Sequence, residues 1–307
     1  MNKSPHLPVL LNEVVESFKN IKSGYFVDCT LGYAGHSSEI LKKFAQIKHI
    51  GIDRDIEAIN FSKEKLQDYK DRSTIYKGTF AEVFPNLKEE PIVGVLADFG
   101  VSSLQLDKLE RGFSFNSQVL DMRMDKDESF SAYDVVNGYS AEKLEYIFKN
   151  YGEIREHREL TNAIVEQRSI KPISSALELS KIISTVIPKY GKINSSTLAF
   201  QAIRIEVNGE LSQIENLLDA IEERHFAGEI VSFITFHSLE DRLIKNRFTK
   251  WSKNCICDEM AIRCTCGNNH SMGKPLNKKP ITATLEELKY NPRSRSAKLR
   301  SFCFKDV

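Results

Sequence analysis

Short β-rich runs alternate with helical stretches through the first hundred residues: YFVDCT at 25–30, HIGID at 49–53, STIYKG at 73–78 and VGVLADF at 93–99, with SSEILKKFA and IEAINFSKEKLQDY between them. Parallel neighbours need a crossover connection, so this alternation predicts βαβαβ units and a parallel sheet. After the fourth run comes a long polar region, 107–210, whose periodic segments, such as AEKLEYIFKNY and SALELSKIISTVI, predict helices and no strands. Strand character returns in GEIVSFITF at 228–236 and SAKLRSFCF at 296–304, with the helical stretches LSQIENLLDAIEERHF and LEDRLIKNRFTKW on either side of the first. The expectation is an α/β fold whose Rossmann-like sheet is built from 1–106 and 211–307, interrupted by an inserted helical domain over 107–210.

The chain has 307 residues, enough for a sizeable core. It contains no stretch of roughly 18 consecutive apolar residues, the length that a membrane helix requires. The opening MNKSPHLPVLLNEVVESF has no basic segment followed by an apolar run and a cleavage site, so a cytoplasmic protein is expected. Six cysteines in such a chain read as reduced thiols or metal ligands, with Cys29 and Cys303 as core residues. The net charge of +1 conceals a polarity. From Asp241 onward there are 15 Lys and Arg against 6 Asp and Glu, a surplus of +9, while the totals of 43 and 42 leave 28 against 36, or −8, before it. A polyanion would therefore meet the C-terminal third first, although a basic stretch alone is more often a solvated face.

The candidate site residues lie at strand ends. In DCTLGYAGHSSEIL, Gly32 and Gly35 allow a sharp turn and close approach of a ligand to the start of a helix. Asp53 ends the second run 21 positions after Gly32, where a Rossmann-like fold places an acid on ribose hydroxyls; Asp55 is equally able to cap the next helix. Phe80 in GTFAE can cover an adenine face or belong to the core. ADFGVSSLQLD supplies Asp98, Gly100 and Gln105, and a carboxylate directly after an apolar strand is costly unless it faces a cleft or a partner. In FHSLEDR, Ser238 reads as a helix N-cap closed by Asp241, leaving His237 as a catalytic candidate. Cys255, Cys257, Cys264 and Cys266 are candidates for a structural zinc, but their C-x-C spacing differs from the usual C-x-x-C pairs, and no metal is assigned to the reaction.

The strings HLPVLLNEVV, GYAGHS, GIDRD, ADFGVSSLQLD, ERGFSF, LDMRMD, FQAIRIEVN, FHSLEDR and NPRSRSAKLR, in this order, resemble the signatures of the RsmH (MraW) family across nearly the whole chain. The resemblance implies a class I S-adenosylmethionine-dependent methyltransferase acting on the N4 amine of a decoding-centre cytidine of 16S rRNA. It implies cofactor contacts at Ala34, Gly35, His36, Asp53, Phe80, Asp98 and Gln105. The chain departs from the family with GYAGHS in place of G-R-G-G-H-S, L-A-F-Q where a basic residue and Thr usually precede Phe-Gln, and S-L-Q in place of S-P-Q. Ala34 adds a methyl group in the loop and is expected at negative φ.

A cytosine amine is a poor nucleophile that must be held in line with the methyl donor, and Asp98 or a backbone carbonyl of DFGVSS is the expected acceptor of its proton-bearing nitrogen. RNA in single-stranded or flipped form is the expected partner. Arg293, Arg295 and Arg300 are the phosphate candidates, while Arg111, Phe113 and Phe115 line a base pocket or pack a hinge. The small ribosomal subunit is the implied assembly, and a homodimer is compatible with the sequence. Two other classes compete. A nicotinamide dehydrogenase would carry a second mononucleotide-binding half where the helical region stands. A non-catalytic RNA-binding module would explain the basic tail but not a rim of polar residues at four strand ends.

Overall fold

The computed structural model describes residues 7–188, 195–258, 260 and 263–305. The chain divides into two compact units, Met1–Gly100 with Gln213–Val307, and Val101–Ser212.

The first unit is built on one sheet. Its strands are β1 (Gly24–Asp28), β2 (Ile47–Asp53), β3 (Ser73–Lys77), β4 (Ile92–Asp98), β5 (Ile230–Thr235), β6 (Gly273–Pro275), β7 (Ile281–Thr282) and β8 (Lys298–Phe304). The order is β3-β2-β1-β4-β5-β8-β6, with β7 also pairing β8. β1 to β5 are parallel, Val27 lying opposite Ile50 on one side and Val95 on the other, whereas β8 runs antiparallel to β5, β6 and β7. The six expected strands are present. β6 and β7 are additional to those six, because strands of three and two residues leave no periodicity to detect in the sequence.

Parallel strands carry helices on both faces and so must be apolar on both. All six residues of β5 are buried, as are five of the seven in β2 and in β4. One face packs Val27, Ile50, Val95 and Phe233 against Ile214, Leu217 and Ile221 of the helix Glu210–Arg224 and Ile244, Phe248 and Trp251 of the helix Ser238–Ser252. The other packs Phe26, Leu96 and Ile234 against Val14 and Phe18 at the helix Leu11–Ser17 and Ile40 of the helix Gly35–Lys43. Cys29 is buried and Cys303 half-buried.

The second unit is helical, and no strand occurs among its described residues. Its principal helices, Ala132–Gly138, Ala141–Asn150, His157–Ile170, Ala176–Val186 and Thr197–Asn208, close over Leu144, Phe148, Leu160, Ile164, Leu179, Ile183 and Ile203. Polar residues fasten its long loop. The Arg111 guanidinium donates to the carbonyls of Arg123 and Met124; Asn208 accepts from Met124 N and donates to Met122 O. Gly112, at φ +76°, brings its Cα against this loop, where an added Cβ would lie 2.5 Å from Asp121 N. Any side chain there would be strained and would collide with backbone.

Glu229, just before β5, is 2% exposed. Burial raises its pKa to about 8, against the lowering effect of the Phe226 amide and the more distant Arg224 charge. The folded state thus holds a proton that the unfolded state releases near the ordinary value of 4.5, so this contribution is complete below that value and is lost as pH rises through about 8. Between about pH 7 and 8, stability should fall by up to roughly 1 kcal/mol per pH unit through this group. Urea unfolding of Glu229→Gln across that window is expected to show a shallower decline than the parent chain.

Candidate functional site

Strand order reverses between β1 and β4, and the carboxyl ends of strands at such a point form the crevice in which α/β sheets bind ligands. Asp28, Asp98 and Asp53 end β1, β4 and β2, and Phe80 opens the short helix Phe80–Val83 after β3.

The loop from β1 is anchored to β2. Gly32 N donates to Asp53 Oδ2 at 2.7 Å, and Asp55 N donates to Asp53 Oδ1 at 2.8 Å. Asp55 is the helix cap, accepting from Glu57 N. Asp53 is therefore engaged twice by backbone, and each oxygen retains a second lone pair for a hydroxyl donor. Desolvation lifts its pKa to about 6 despite those two amides. From the side, Ser62 Oγ donates to Gly32 O and Lys65 Nζ to Tyr33 O.

Ala34 departs from expectation: its φ is +50°, in the left-handed region, not negative. The turn requires it, since Ala34 N donates to Leu31 O and Ala34 O accepts from Ser38 N at the start of the helix Gly35–Lys43. The methyl is fully buried with Leu31, Leu41 and Leu66, which offsets a conformational cost of roughly 1 kcal/mol. Its amide, committed to Leu31, is not an open donor. Gly35 and His36 face the N-terminal segment. A Cβ on Gly35 would lie 2.5 Å from Pro8 Cγ, and His36 Nε2 stands 2.9 Å from Val9 O. That segment is held in turn at Leu10 N, which donates to the buried Glu287 carboxylate at 2.9 Å.

Three carboxylates gather at the ends of β1, β4 and β5. Asp28 is 2% exposed, accepting from Thr30 N and Ser37 Oγ. Its pKa is raised to about 6, by burial foremost and by the Asp53 charge, with Ser37 and Thr30 opposing. Since Ser37 spends its one proton on Asp28, His49 Nε2, 2.8 Å away, must carry the hydrogen and Nδ1 accept from Ser73. Burial, with the Arg72 charge second, lowers His49 to about 3, so this ring is neutral. Asp98 N donates to Thr30 Oγ1 at 2.6 Å, tying β4 to the loop. Asp98 Oδ1 is buried with no hydrogen-bond partner among the described residues. Burial, then the charges of Asp28 and Glu240, push its pKa well up. A buried acceptor crowded by like charges favours a cation or a hydrogen-bond donor brought in by a ligand.

Glu240 is a residue that sequence reasoning missed. The helix Ser238–Ser252 is capped at His237, not Ser238, and the side chain that reaches back is Glu240, not Asp241. Glu240 is fully buried and accepts from Phe236 N and His237 N. His237, 8% exposed at its side chain, has Nε2 3.1 Å from Glu240 Oε1. The signal was an acid three positions after the cap; Asp28, a carboxylate directly after apolar Phe26 and Val27, carried the same signal as Asp98.

Asp241 turns to the sheet, where Arg300 binds both its oxygens, at 2.7 and 3.3 Å, and Lys298 lies at 3.2 Å. Burial opposes ionisation of Asp241, but Arg300 and then Lys298 outweigh it and hold the carboxyl below its usual range. Arg300 is thus a structural ion-pair partner and is withdrawn as a phosphate ligand. Arg111, 2% exposed, and Phe113, 6% exposed, are likewise interior to the second unit, and half-buried Phe115 packs edge-on against Phe200. None is placed as a base-pocket residue, because backbone carbonyls and apolar neighbours occupy them. Gln105 also belongs to the second unit, where its Oε1 accepts from Ser102 N while Ser102 Oγ accepts from Gln105 N. Phe80 packs at 5.8 Å from the Phe99 ring. Arg293 and Arg295 are exposed on the 3-10 segment Pro292–Ser296.

A family model described as the MraW methylase family matches residues 3–305. The chain is 66% identical over 303 residues to "Ribosomal RNA small subunit methyltransferase H" of Sulfurovum sp. (strain NBC37-1), covering 99% of each chain. It is 55% identical over 303 residues to the protein of the same name from Wolinella succinogenes, again covering 99% of each. Among solved structures it is similar to precorrin-6y C5,15-methyltransferase from Geobacter metallireducens GS-15, with TM-score 0.45 and 7% identity over 100% of this chain and 94% of that one. An rRNA methylase from Streptococcus thermophilus gives TM-score 0.40 and 10% identity over 100% and 99%.

The ion pair of Arg300 with Asp241 has a direct test. Arg300→Ala leaves a mostly buried carboxylate with Lys298 alone, so denaturant unfolding should show a loss of about 2 kcal/mol or more, with RNA affinity unchanged.

Proposed function

Because the chain belongs to the MraW methylase family, we propose that it transfers a methyl group from S-adenosylmethionine to the exocyclic N4 amine of a decoding-centre, P-site cytidine of 16S rRNA in the small ribosomal subunit, and that it does so in the cytoplasm. The observation that carries the site assignment is the buried, unpartnered oxygen of Asp98 beside Asp28 and Glu240. Such a cluster suits a cofactor with a positive sulfonium and ammonium group.

Asp53 accepts from ribose hydroxyls through its remaining lone pairs, and Phe80 offers its ring to the adenine. Ala34 shapes the turn, while Gly35 and His36, at the start of the helix Gly35–Lys43, contact the cofactor beside the N-terminal segment. When bound, the cofactor supplies an electrophilic methyl group whose bond to sulfur breaks with the electron pair remaining on sulfur. Asp98 accepts a hydrogen bond from the cytosine amine, holding its nitrogen in line and offsetting the charge that develops as the nitrogen lone pair forms the new bond. The surplus N–H proton leaves to water. His237 and Glu240 position the start of their helix. Gln105 remains a cofactor contact, and the inserted unit, 107–210, and the exposed Arg293 and Arg295 engage the RNA, the two arginines as phosphate contacts.

Labelled methyl transfer to small subunits lacking the modification, followed by nucleoside digestion and mass spectrometry, is expected to put the label in N4-methylcytidine. Label in another nucleoside would discard the target, and no transfer would leave the fold alone. Asp98→Asn should lower turnover at saturating cofactor by a hundredfold or more, on the scale of losing a positioned electrostatic group. Cofactor affinity should weaken by up to tenfold per pH unit below about 6, as Asp53 takes up its proton. Calorimetry of Asp53→Asn should show weaker binding at neutral pH without that segment of pH dependence. Arg293→Ala should reduce RNA affinity and lower the salt slope by about one, with cofactor binding unchanged.

A further inference from the structure

Four cysteine sulfurs converge after the helix Ser238–Ser252, away from the strand ends just described. The Sγ atoms of Cys255, Cys257, Cys264 and Cys266 all lie within 4.8 Å of one another. Three of the separations are 3.6 Å (Cys255 to Cys264), 3.6 Å (Cys264 to Cys266) and 3.8 Å (Cys266 to Cys255). Four thiolates around one zinc at a Zn–S length of about 2.3 Å stand at the corners of a tetrahedron whose edges are about 3.8 Å. The same separations are far beyond a disulfide bond of about 2.05 Å, and all four thiols are free.

The C-x-C spacing, which differs from the usual zinc pairs, suits this arrangement. Residues two apart along extended backbone project to the same side, so two C-x-C steps facing each other present four sulfurs to one point. The two steps also support each other reciprocally. Ile256 N, inside the first, donates to Cys266 Sγ at 3.4 Å; Thr265 N, inside the second, donates to Cys257 Sγ at 3.3 Å. Amides directed at sulfur stabilise the thiolate form that a metal requires.

Hydrophobic burial does not account for the gathering. Cys264 is exposed, the other three cysteines only partly buried, and the apolar neighbours Ile256 and Met260 are 63% and 89% exposed. A knuckle with so little core needs a cross-link to hold one conformation. Its ties at the base include His270 N to Asn254 O and Met272 N to Trp251 O, with Lys305 Nζ reaching Asn269 O and His270 Nε2 to Cys266 O closing the segment on itself.

We propose that Cys255, Cys257, Cys264 and Cys266 bind a single zinc ion as a closed, structural site that fixes the segment between the helix Ser238–Ser252 and β6. With four protein ligands there is no open position for catalysis. The fixed segment presents Lys253 and Arg263 within the basic third of the chain.

The test uses the full chain, purified anaerobically with reductant and no added metal. Elemental analysis should find about one zinc per chain. After stripping with a chelator, cobalt(II) should restore the visible and near-ultraviolet bands of a tetrahedral tetrathiolate centre, and protease cleavage between 253 and 272 should slow again. Cys255→Ser with Cys264→Ser should lose the zinc and the cobalt bands. Should that variant fail to fold, the parent chain's metal content and cobalt spectrum still decide. Metal-free chains with no cobalt spectrum, two disulfides in the reduced preparation, or iron in place of zinc would each overturn the proposal.

Discussion

A parallel sheet covered on both faces leaves its polar chemistry nowhere to go except the strand ends, and most of this molecule follows from that constraint. β4 is apolar until Asp98 and β5 carries no charge, and the acids of β1, β2 and β4 stand where those strands stop. There charge is crowded: Asp28, Asp53 and Asp98 are all shifted upward by desolvation, and each is crowded further by a neighbouring carboxylate. Such crowding is unfavourable to the isolated fold. It makes the carboxyl end of the sheet a place where a cationic ligand would lower the free energy.

The strands and their terminal acids are legible in the sequence because they rest on local pattern. Asp53 and Asp98 stand at the ends of β2 and β4, where short-range alternation puts them. What is not legible depends on partners distant in sequence. Arg300 looks like any exposed arginine of a basic tail until Asp241, 59 residues away, is found beside it. Arg111 similarly looks like a ligand for RNA until the carbonyls of Arg123 and Met124 are seen to occupy it. The positive φ of Ala34 is not legible either, since it depends on a turn that needs the left-handed region and on a pocket of Leu31, Leu41 and Leu66 that receives the methyl. β6 and β7 escaped detection through their brevity.

The signature strings of the second unit have a shared physical meaning. Arg111 of ERGFSF, Met122, Arg123 and Met124 of LDMRMD, and Asn208 of FQAIRIEVN meet in one polar knot. Each supplies or satisfies a backbone group that would otherwise be buried without a partner. Arg111, a base-pocket candidate from the sequence alone, thus joins the other two strings in holding the loop of a helical unit together.

The latch on the glycine loop bears on how the molecule is made. Pro8 fills the space beside Gly35, Val9 receives His36, and Leu10 is held by Glu287, a residue separated from it by nearly the whole chain. A ribosome releases these parts in order, so a nascent chain must carry its first loop with the latch unfastened until residue 287 has emerged. The loop that stands earliest in the sequence is among the last to be completed in the fold.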